Sequence, residues 1–173
     1  MKIVCILGKT CSGKTTLERT LEKMGFKRLI SYTTKTPRLG EVDGVDYRFV
    51  THEQFQELMK NEVLVEWAQH AGKYYGSPIP VGGDKFVVVV NPEGYRQFKE
   101  VYKDQVFGVY LNVDAEEAFK RNSRTAEVRL DMDRRAVEEK EQFKEIESKV
   151  NLVLDSASPI GVQVAEIIKH SRV

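Results

Sequence analysis

The stretch Gly8-Lys9-Thr10-Cys11-Ser12-Gly13-Lys14-Thr15 decides the fold class, because it matches G-x-x-x-x-G-K-[ST] at every fixed position. An apolar, β-branched run from Ile3 to Leu7 precedes it and predicts a buried strand. A helix-favouring run from Thr16 to Met24 follows, and Gly25 would end that helix. A chance match is the alternative, but strand, glycine loop and helix in this order favour a loop that holds the phosphates of a nucleoside triphosphate.

Each part of this loop suits phosphate binding. Glycines let backbone N–H groups turn toward phosphate oxygens, and the following helix adds its N-terminal dipole. Lys14 is expected to reach the terminal phosphates of a nucleoside triphosphate, which makes it catalytic if the triphosphate is the donor in a reaction, while the Thr15 hydroxyl is expected to ligate Mg²⁺. The motif does not say which reaction follows. Because the loop acts through its backbone, we expect no regulatory role for the Cys11 thiol. The predicted ATP-binding residues of the loop are Gly8, Cys11, Ser12, Gly13, Lys14, Thr15 and Thr16.

The rest of the chain alternates strand-like and helix-like runs, which predicts an α/β fold with a largely parallel sheet. Thr51 with Gln54 is typical of a capping box, and Pro92 of a first helical position. The stretch 126–149 is rich in charged, helix-favouring residues, which predicts a helix there. Glycines and prolines predict loops at 31–44 and 72–83. The predicted later strands are Tyr47 to Val50, Val63 to Ala68, Phe86 to Val90, Val106 to Val113 and Leu152 to Leu154.

Composition excludes several classes of protein. The 173 residues include 27 basic and 26 acidic side chains, and a net charge of +1 gives no reason to expect nucleic-acid or membrane binding. Two cysteines are too few for a disulfide framework, and no Cys/His cluster has zinc-ligand spacing. The opening strand-like run predicts no signal peptide, and the longest apolar run, Phe86 to Val90, is too short to span a bilayer. We therefore expect a cytoplasmic protein.

A second informative stretch, Ser31 to Glu41, reads Ser-Tyr-Thr-Thr-Lys-Thr-Pro-Arg-Leu-Gly-Glu. Lys35 and Arg38 lie three apart in a loop rich in hydroxyl groups, which suits a bound phosphate. A solvated basic surface loop would show the same spacing, so spacing alone does not separate the two interpretations.

This stretch resembles the acceptor loop of the guanylate kinase family, S-x-T-T-R-x-P-R-x-G-E. Asp43 to Val50 is similar to the family's D-G-x-D-Y-x-F-V, and Leu64 to Ala68 to its F-x-E-W/Y-A. His70 to Ser77 resembles H-G-x-Y-Y-G-T/S, with one residue inserted or displaced near the start. The motifs follow the family's order and spacing from Lys2 to about Ser77.

The resemblance implies a role for each matching residue. Glu66 and Ser77 would read the guanine edge. Without the resemblance, Tyr47 and Tyr75 would be interpreted as aromatic residues of the core, and Glu66 as a carboxylate that faces solvent at the end of a strand. The residues implied to hold the GMP phosphate are Ser31, Lys35, Arg38, Tyr47 and Tyr75.

The likeness weakens after Ser77. Roughly six residues are missing before the next apolar strand, relative to the family, where a helix would normally lie. The family then reads L-D-I-D-x-Q-G, whereas this chain has Val89 and Asn91 in place of the two aspartates. Lys35 replaces an arginine, and lysine is a point charge that cannot make the bidentate contact. These departures bear on Mg²⁺ binding, guanine recognition and the acceptor phosphate.

A segment rich in arginine resembles the family's lid, in which Arg124 and Arg135 are implied to stabilise the transferred phosphoryl group. The alternative is a solvated helix with i,i+4 pairs such as Arg134–Glu138. Near the end, Asp155 matches the family's residue beside the adenine and is implied to contact ATP or its loop.

The resemblance as a whole implies a P-loop NTPase-type parallel sheet flanked by helices, with a small acceptor-binding subdomain and a helical lid. The expected core covers 1–30 and 85–173, the subdomain about 31–84 and the lid about 121–140. The implied activity is phosphorylation of GMP or dGMP by ATP with Mg²⁺, with nucleotides as the partners and no expectation about oligomeric state. A related kinase acting on another nucleotide or a sugar phosphate, and a non-catalytic interaction module of the same family, remain alternatives.

Overall fold

The computed structural model describes residues 1–70, 72–122 and 139–172 and has the expected α/β class. The strands in these parts are β1 (Lys2–Gly8), β2 (Lys27–Arg28), β3 (Tyr32–Thr33), β4 (Arg48–Phe49), β5 (Leu64–His70), β6 (Lys73–Pro78), β7 (Lys85–Val89), β8 (Val106–Asn112) and β9 (Leu152–Asp155). The helices are α1 (Lys14–Lys23), α2 (His52–Lys60), α3 (Pro92–Tyr102), α4 (Ala115–Asn122), α5 (Ile146–Lys149) and α6 (Ile160–Ser171).

Five parallel strands form the main sheet in the order β2-β7-β1-β8-β9. The side chains of β1 alternate between the two faces, as the strand geometry requires. Val4 packs on one face with Leu21 of α1, and Cys5 packs on the other with Phe98 of α3. Helices cover both faces, which explains why β1 reads as a continuous apolar run and confirms the prediction of a buried parallel strand.

A second sheet has four strands in the order β4-β3-β6-β5. The predicted loop at 72–83 is wrong in its first half, because β6 pairs antiparallel with β5. Gly76 lies within this strand. A Cβ there would lie 3.0 Å from the Phe55 ring and 2.9 Å from the Leu64 side chain, which explains why the position holds a glycine. A glycine chosen for close packing therefore resembled a turn signal in the sequence. The prolines cause no conflict, since Pro78 is the last residue of the strand.

Two predicted helix starts are confirmed. Thr51 caps α2 through a capping box with Gln54. Asn91 caps α3 by accepting a hydrogen bond from the Gly94 N–H at 2.7 Å, and Pro92 occupies the first turn. The cap of α3 fixes Asn91 at the carboxyl end of β7, next to the loop that follows β1.

The long helix predicted within 126–149 is only partly tested, since 123–138 lie outside the described residues. In the described portion, 139–142 are helical, a turn follows at 143–145, and α5 begins after Glu145, whose φ is 61°. The predicted helix is therefore interrupted before Lys149 and does not continue unbroken to that residue. Packing explains the break, because the Phe143 ring lies 5.7 Å from the Tyr110 ring and Ile146 is buried against the main sheet.

Candidate active site

A cleft of about 330 Å³ lies at the carboxyl edge of the main sheet, where β1 and β7 pair side by side. Ligand sites of open α/β sheets lie at this edge, because the loops that leave neighbouring parallel strands meet there. The phosphate-binding loop leaves β1, and Val90 and Asn91 leave β7. The cleft is lined by Gly8, Thr10, Lys14, Ser31, Lys35, Arg38, Glu41, Tyr47, Glu66, Ala68, Gln69, His70, Tyr75, Gly76, Val89, Val90, Asn91, Glu139, Gln142 and Phe143.

The loop after β1 has a backbone shape that only certain residues fit. Gly13 has φ 92°, in the left-handed region that favours glycine, and Cys11 adopts φ 63° despite its side chain. At Gly8 a Cβ would lie 2.3 Å from the Ser12 hydroxyl. That hydroxyl is buried and has no hydrogen-bond partner within the described part of the chain. The conformation is therefore tight at Gly8 and strained at Cys11.

Lys14 opens α1 and curls back over the loop. Its Nζ donates hydrogen bonds to the carbonyl oxygens of Gly8 and Lys9, each at 2.7 Å. Thr15 and Thr16 follow in the first turn of the helix, and both are exposed. The ammonium group and the hydroxyl groups thus lie at the mouth of the loop, where a polyphosphate chain could bind.

Glu41 is the centre of a hydrogen-bond network within the acceptor loop. Lys35 Nζ donates to Glu41 Oε1 at 2.6 Å and lies 4.8 Å from the centre of the Tyr47 ring. The Arg38 N–H donates to Glu41 Oε2 at 2.7 Å. Desolvation raises the pKa of Glu41, but the hydrogen bonds from Arg38 and Lys35 outweigh it and leave that pKa below its usual value. Tyr75 lies 6.2 Å from Tyr47, ring to ring, so the predicted phosphate-binding residues surround one space.

Glu66 is the buried carboxylate of the cleft, with 8% of its surface exposed. The Ser77 hydroxyl donates to Glu66 Oε1 at 2.5 Å and lies 3.3 Å from the Ser31 hydroxyl. Burial raises the pKa of Glu66, although the hydrogen bonds from Ser77 oppose the rise. Ser77 therefore orients Glu66, and its own contact with the guanine edge stays a prediction.

The first turn of α3 packs directly against Glu66. A Cβ at Gly94 would lie 3.0 Å from Glu66 Oε2 and 3.3 Å from Asn91 Oδ1. The carboxylate of Glu66 and the amide of Asn91 thus flank the same glycine. A side chain at position 94 would therefore press on the Glu66 carboxylate.

Two arginines tie Val45 and Asp46, just after the acceptor loop, to α1. Arg28 pairs with Glu18 of α1 at 3.1 Å, and both side chains are almost fully buried. The same guanidinium donates to the Val45 carbonyl at 3.0 Å. Arg19 of α1 pairs with Asp46 at 2.5 Å. The end of the acceptor loop is therefore followed by a segment that is anchored to the helix that carries Lys14.

Other predicted residues are not part of the cleft as the structure describes it. Asp155 ends β9, is exposed, and accepts a hydrogen bond from the Ala157 N–H at 2.8 Å. Its contact with ATP stays a prediction. Arg124 and Arg135 lie outside the described residues, as does most of the predicted lid.

Three cleft residues came from parts of the sequence with no recognisable signal. Glu139, Gln142 and Phe143 line the cleft from the segment before α5. Their sequence is charged and helix-favouring, which is typical of a solvated surface helix. Glu41, in contrast, had a signal in its position six residues after Lys35, within the acceptor motif.

Comparison with known proteins identifies the family of this chain. The model of the family described as guanylate kinase matches residues 1–171. The chain belongs to the guanylate kinase family. The guanylate kinase of Prochlorococcus marinus is 34% identical over 143 residues, which are 78% of each chain.

Other guanylate kinases match over shorter stretches. That of Bacillus anthracis is 39% identical over 115 residues, 61% of this chain and 56% of its own length. That of Schizosaccharomyces pombe is 46% identical over 84 residues, 46% of this chain and 41% of its own. The chain thus spans about half the length of the first relatives that it matches.

The fold also matches a solved guanylate kinase. The crystal structure of guanylate kinase from Anaplasma phagocytophilum aligns with a TM-score of 0.73 at 22% identity and covers 99% of this chain and 85% of that one. This likeness shows the fold of the guanylate kinase family in the present chain. None of the helices in the described ranges is long and apolar enough to cross a lipid bilayer.

Proposed function

We propose that this protein transfers the γ-phosphoryl group of ATP to GMP or dGMP, as the names of its relatives suggest. The observation that carries the proposal is the shared cleft in which the phosphate-binding loop and the predicted acceptor residues face one another. Lys14 lies on one side, and Lys35, Tyr47 and Glu66 line the other. A cavity that joins a triphosphate loop to a second anion site and a base-reading carboxylate suits direct transfer between two nucleotides.

Positioning and charge neutralisation would carry the rate of this reaction, since phosphoryl transfer needs no covalent intermediate. Lys14 would leave the loop carbonyls and bind the terminal phosphates of ATP. Lys35 would exchange Glu41 for the phosphate of the acceptor, with Ser31 and Arg38 beside it. On the family resemblance, Arg124 and Arg135 would stabilise the charge on the transferred group.

Mg²⁺ would be held by the nucleotide phosphates and the Thr15 hydroxyl. The donor set suits this arrangement, because Thr15 is exposed at the start of α1 and offers the oxygen ligand that Mg²⁺ prefers. Within the described ranges, no group of three or more acidic, histidine or cysteine side chains is placed to hold a metal on its own. When bound, the ion neutralises charge on the phosphates and aligns them.

The proposed organisation follows the expected ranges. A core of 1–30 and 85–173 would bind ATP, a subdomain of about 31–84 would bind the acceptor, and a lid of about 121–140 would close over both. Nucleotides are the proposed partners, and the cytoplasm is the proposed location.

A coupled assay of ADP release against a panel of monophosphates tests the proposal. We expect GMP and dGMP to be phosphorylated, and AMP and dTMP to be poor acceptors by orders of magnitude. A related kinase with another acceptor is the second candidate, since Val89 and Asn91 replace two aspartates of the family. Preference for AMP, dTMP or a sugar phosphate in the same panel would favour it. Absence of turnover with every acceptor would favour a non-catalytic module.

Replacing Lys35 by arginine should improve binding of the acceptor phosphate. Arginine donates two parallel hydrogen bonds where lysine offers a point charge, so we expect Lys35→Arg to lower the KM for GMP by about two- to fivefold. Steady-state kinetics with varied GMP measure this. A large rise in KM, together with an unchanged KM in Arg38→Ala, would show that the acceptor phosphate binds elsewhere.

Restoring one missing carboxylate should ease the use of Mg²⁺. Asparagine and aspartate cap helices equally well, so Asn91→Asp should leave α3 intact. The added charge lies at the edge of the cleft, and we expect the half-saturating Mg²⁺ concentration to fall by about threefold. Activity titrated against Mg²⁺ measures the change. An equal or higher requirement in the variant would contradict this placement of the metal.

A further inference from the structure

Glu139 binds the phosphate-binding loop from 129 positions away in the sequence. Its carboxylate accepts the Thr10 N–H at 2.9 Å on Oε1 and 3.1 Å on Oε2. The Thr10 hydroxyl also donates to Oε1, at 2.6 Å. Both donors of Thr10 therefore point at one carboxylate that lines the cleft.

The segment that carries Glu139 is anchored to the main sheet. The Phe143 ring, one helical turn further on, lies 5.7 Å from the Tyr110 ring of β8. Ile146 follows and is 3% exposed within the core. The carboxylate is thus held by a packed segment and does not hang from a loose surface helix.

The contact fixes one peptide unit of the loop. The Thr10 N–H and the Lys9 carbonyl belong to the same planar trans peptide and point in opposite directions. The N–H faces Glu139, and the carbonyl accepts from Lys14 Nζ at 2.7 Å. The Lys9–Thr10 peptide is therefore clamped between a carboxylate and an ammonium group, and turning it would break both contacts.

We propose that Glu139 is a positioning residue that holds this peptide in the shape that receives ATP, including after Lys14 leaves the Lys9 carbonyl for the phosphates. The inference deepens the proposed function and rests on it. Glu139 touches no reacting atom in this scheme. Its effect is to keep the loop in the shape that receives phosphates, through a contact with Thr10 and with none of the predicted acceptor residues.

The test is calorimetric binding of ATP with Mg²⁺, in the absence of any acceptor. Glu139→Gln keeps the shape and loses the charge, while Thr10→Val removes the hydroxyl. We expect Glu139→Gln to bind ATP about tenfold more weakly. Thr10→Val loses only the hydroxyl bond and keeps the N–H contact, so it should bind ATP a few-fold more weakly. The double variant should be less than additive, because the hydroxyl bond is weakened or lost in both single variants. Thr10→Ser should rescue binding, and GMP binding measured alone should stay within about twofold of wild type.

Glu141→Gln is the matched control, since it removes an exposed carboxylate two positions away in the same segment. ATP affinity in Glu139→Gln equal to that control would overturn the inference. Tighter ATP binding in Glu139→Gln would also overturn it, because the carboxylate would then be a competitor of the triphosphate. If Glu139→Gln fails to fold, Thr10→Val and Thr10→Ser decide.

The result that would contradict the proposed function differs from the result that would contradict the role of Glu139. Wild-type protein that binds ATP but phosphorylates no monophosphate would contradict the activity, while the comparison of ATP affinities would still stand.

Discussion

Lys14→Ala should lower kcat with GMP and ATP by on the order of a thousandfold or more, in a protein that remains folded. The side chain donates to the carbonyls of Gly8 and Lys9 and lines the cleft, so no apolar packing is lost with it. In the bound state its charge would neutralise the phosphates during transfer. Steady-state kinetics and thermal unfolding, measured on the same preparation, test both halves of the prediction.

Lys23→Ala provides the matched control, because Lys23 is an exposed lysine in the last turn of the same helix. It should retain near wild-type kinetics. Normal turnover in a folded Lys14→Ala protein would remove the basis for a kinase activity at this cleft.

Glu66→Gln should abolish most of the preference for guanine. Guanine presents the N1–H and N2–H₂ donors side by side, and an ionised carboxylate offers two acceptor oxygens to match them. Glutamine supplies one acceptor and places an N–H₂ group against a donor. Since buried polar mismatches are costly, we expect kcat/KM for GMP to fall by about a hundredfold to ten-thousandfold, and the ratio of GMP to AMP to fall with it.

The same substitution should stabilise the protein without nucleotide. Burial raises the pKa of Glu66, so the folded state holds the proton more tightly than the unfolded state does. The contribution of this group to stability is therefore present below its unfolded pKa and is lost as pH rises through the folded pKa. At pH 7 wild type carries that cost and Glu66→Gln does not, so the variant should have the higher Tm.

Thermal unfolding of Glu66→Gln and wild type from pH 4 to 8 tests this prediction, because the difference in Tm between the two proteins should shrink as pH falls. Glu62→Gln is a suitable control, since Glu62 is exposed just before the same strand. An unchanged ratio of GMP to AMP in Glu66→Gln would show that another residue reads the base. A lower Tm at pH 7 would show that ionised Glu66 stabilises the empty cleft.

The parts of the fold that depend on residues close together in the sequence could be predicted. The phosphate-binding loop, the buried strand before it, the cap at Thr51 and the helix start at Pro92 each depend on a few neighbouring residues, and all were expected from the sequence. The motif resemblance also singled out Lys35 and Glu66, which the structure places in one cleft.

Contacts between residues far apart in the sequence account for the differences between the predictions and the structure. Gly76 looked like a turn residue because the Phe55 and Leu64 side chains that require a glycine there are far away in sequence. Glu139 carried no signal, since its partner is Thr10 at the other end of the chain. The burial of Ser77 behind Glu66 likewise depends on strand pairing that composition does not reveal.

Arg28 and Arg19 attach Val45 and Asp46, just after the acceptor loop, to α1, and this attachment has a dynamic consequence. Thermal displacements of this helix would carry the acceptor loop and Lys14 together. The two loops would then fluctuate in a correlated way, so that the separation between donor and acceptor phosphates varies less than either position does. Transfer between phosphates is sensitive to that separation, since a misplacement of about 1 Å can lower the rate by on the order of a hundredfold.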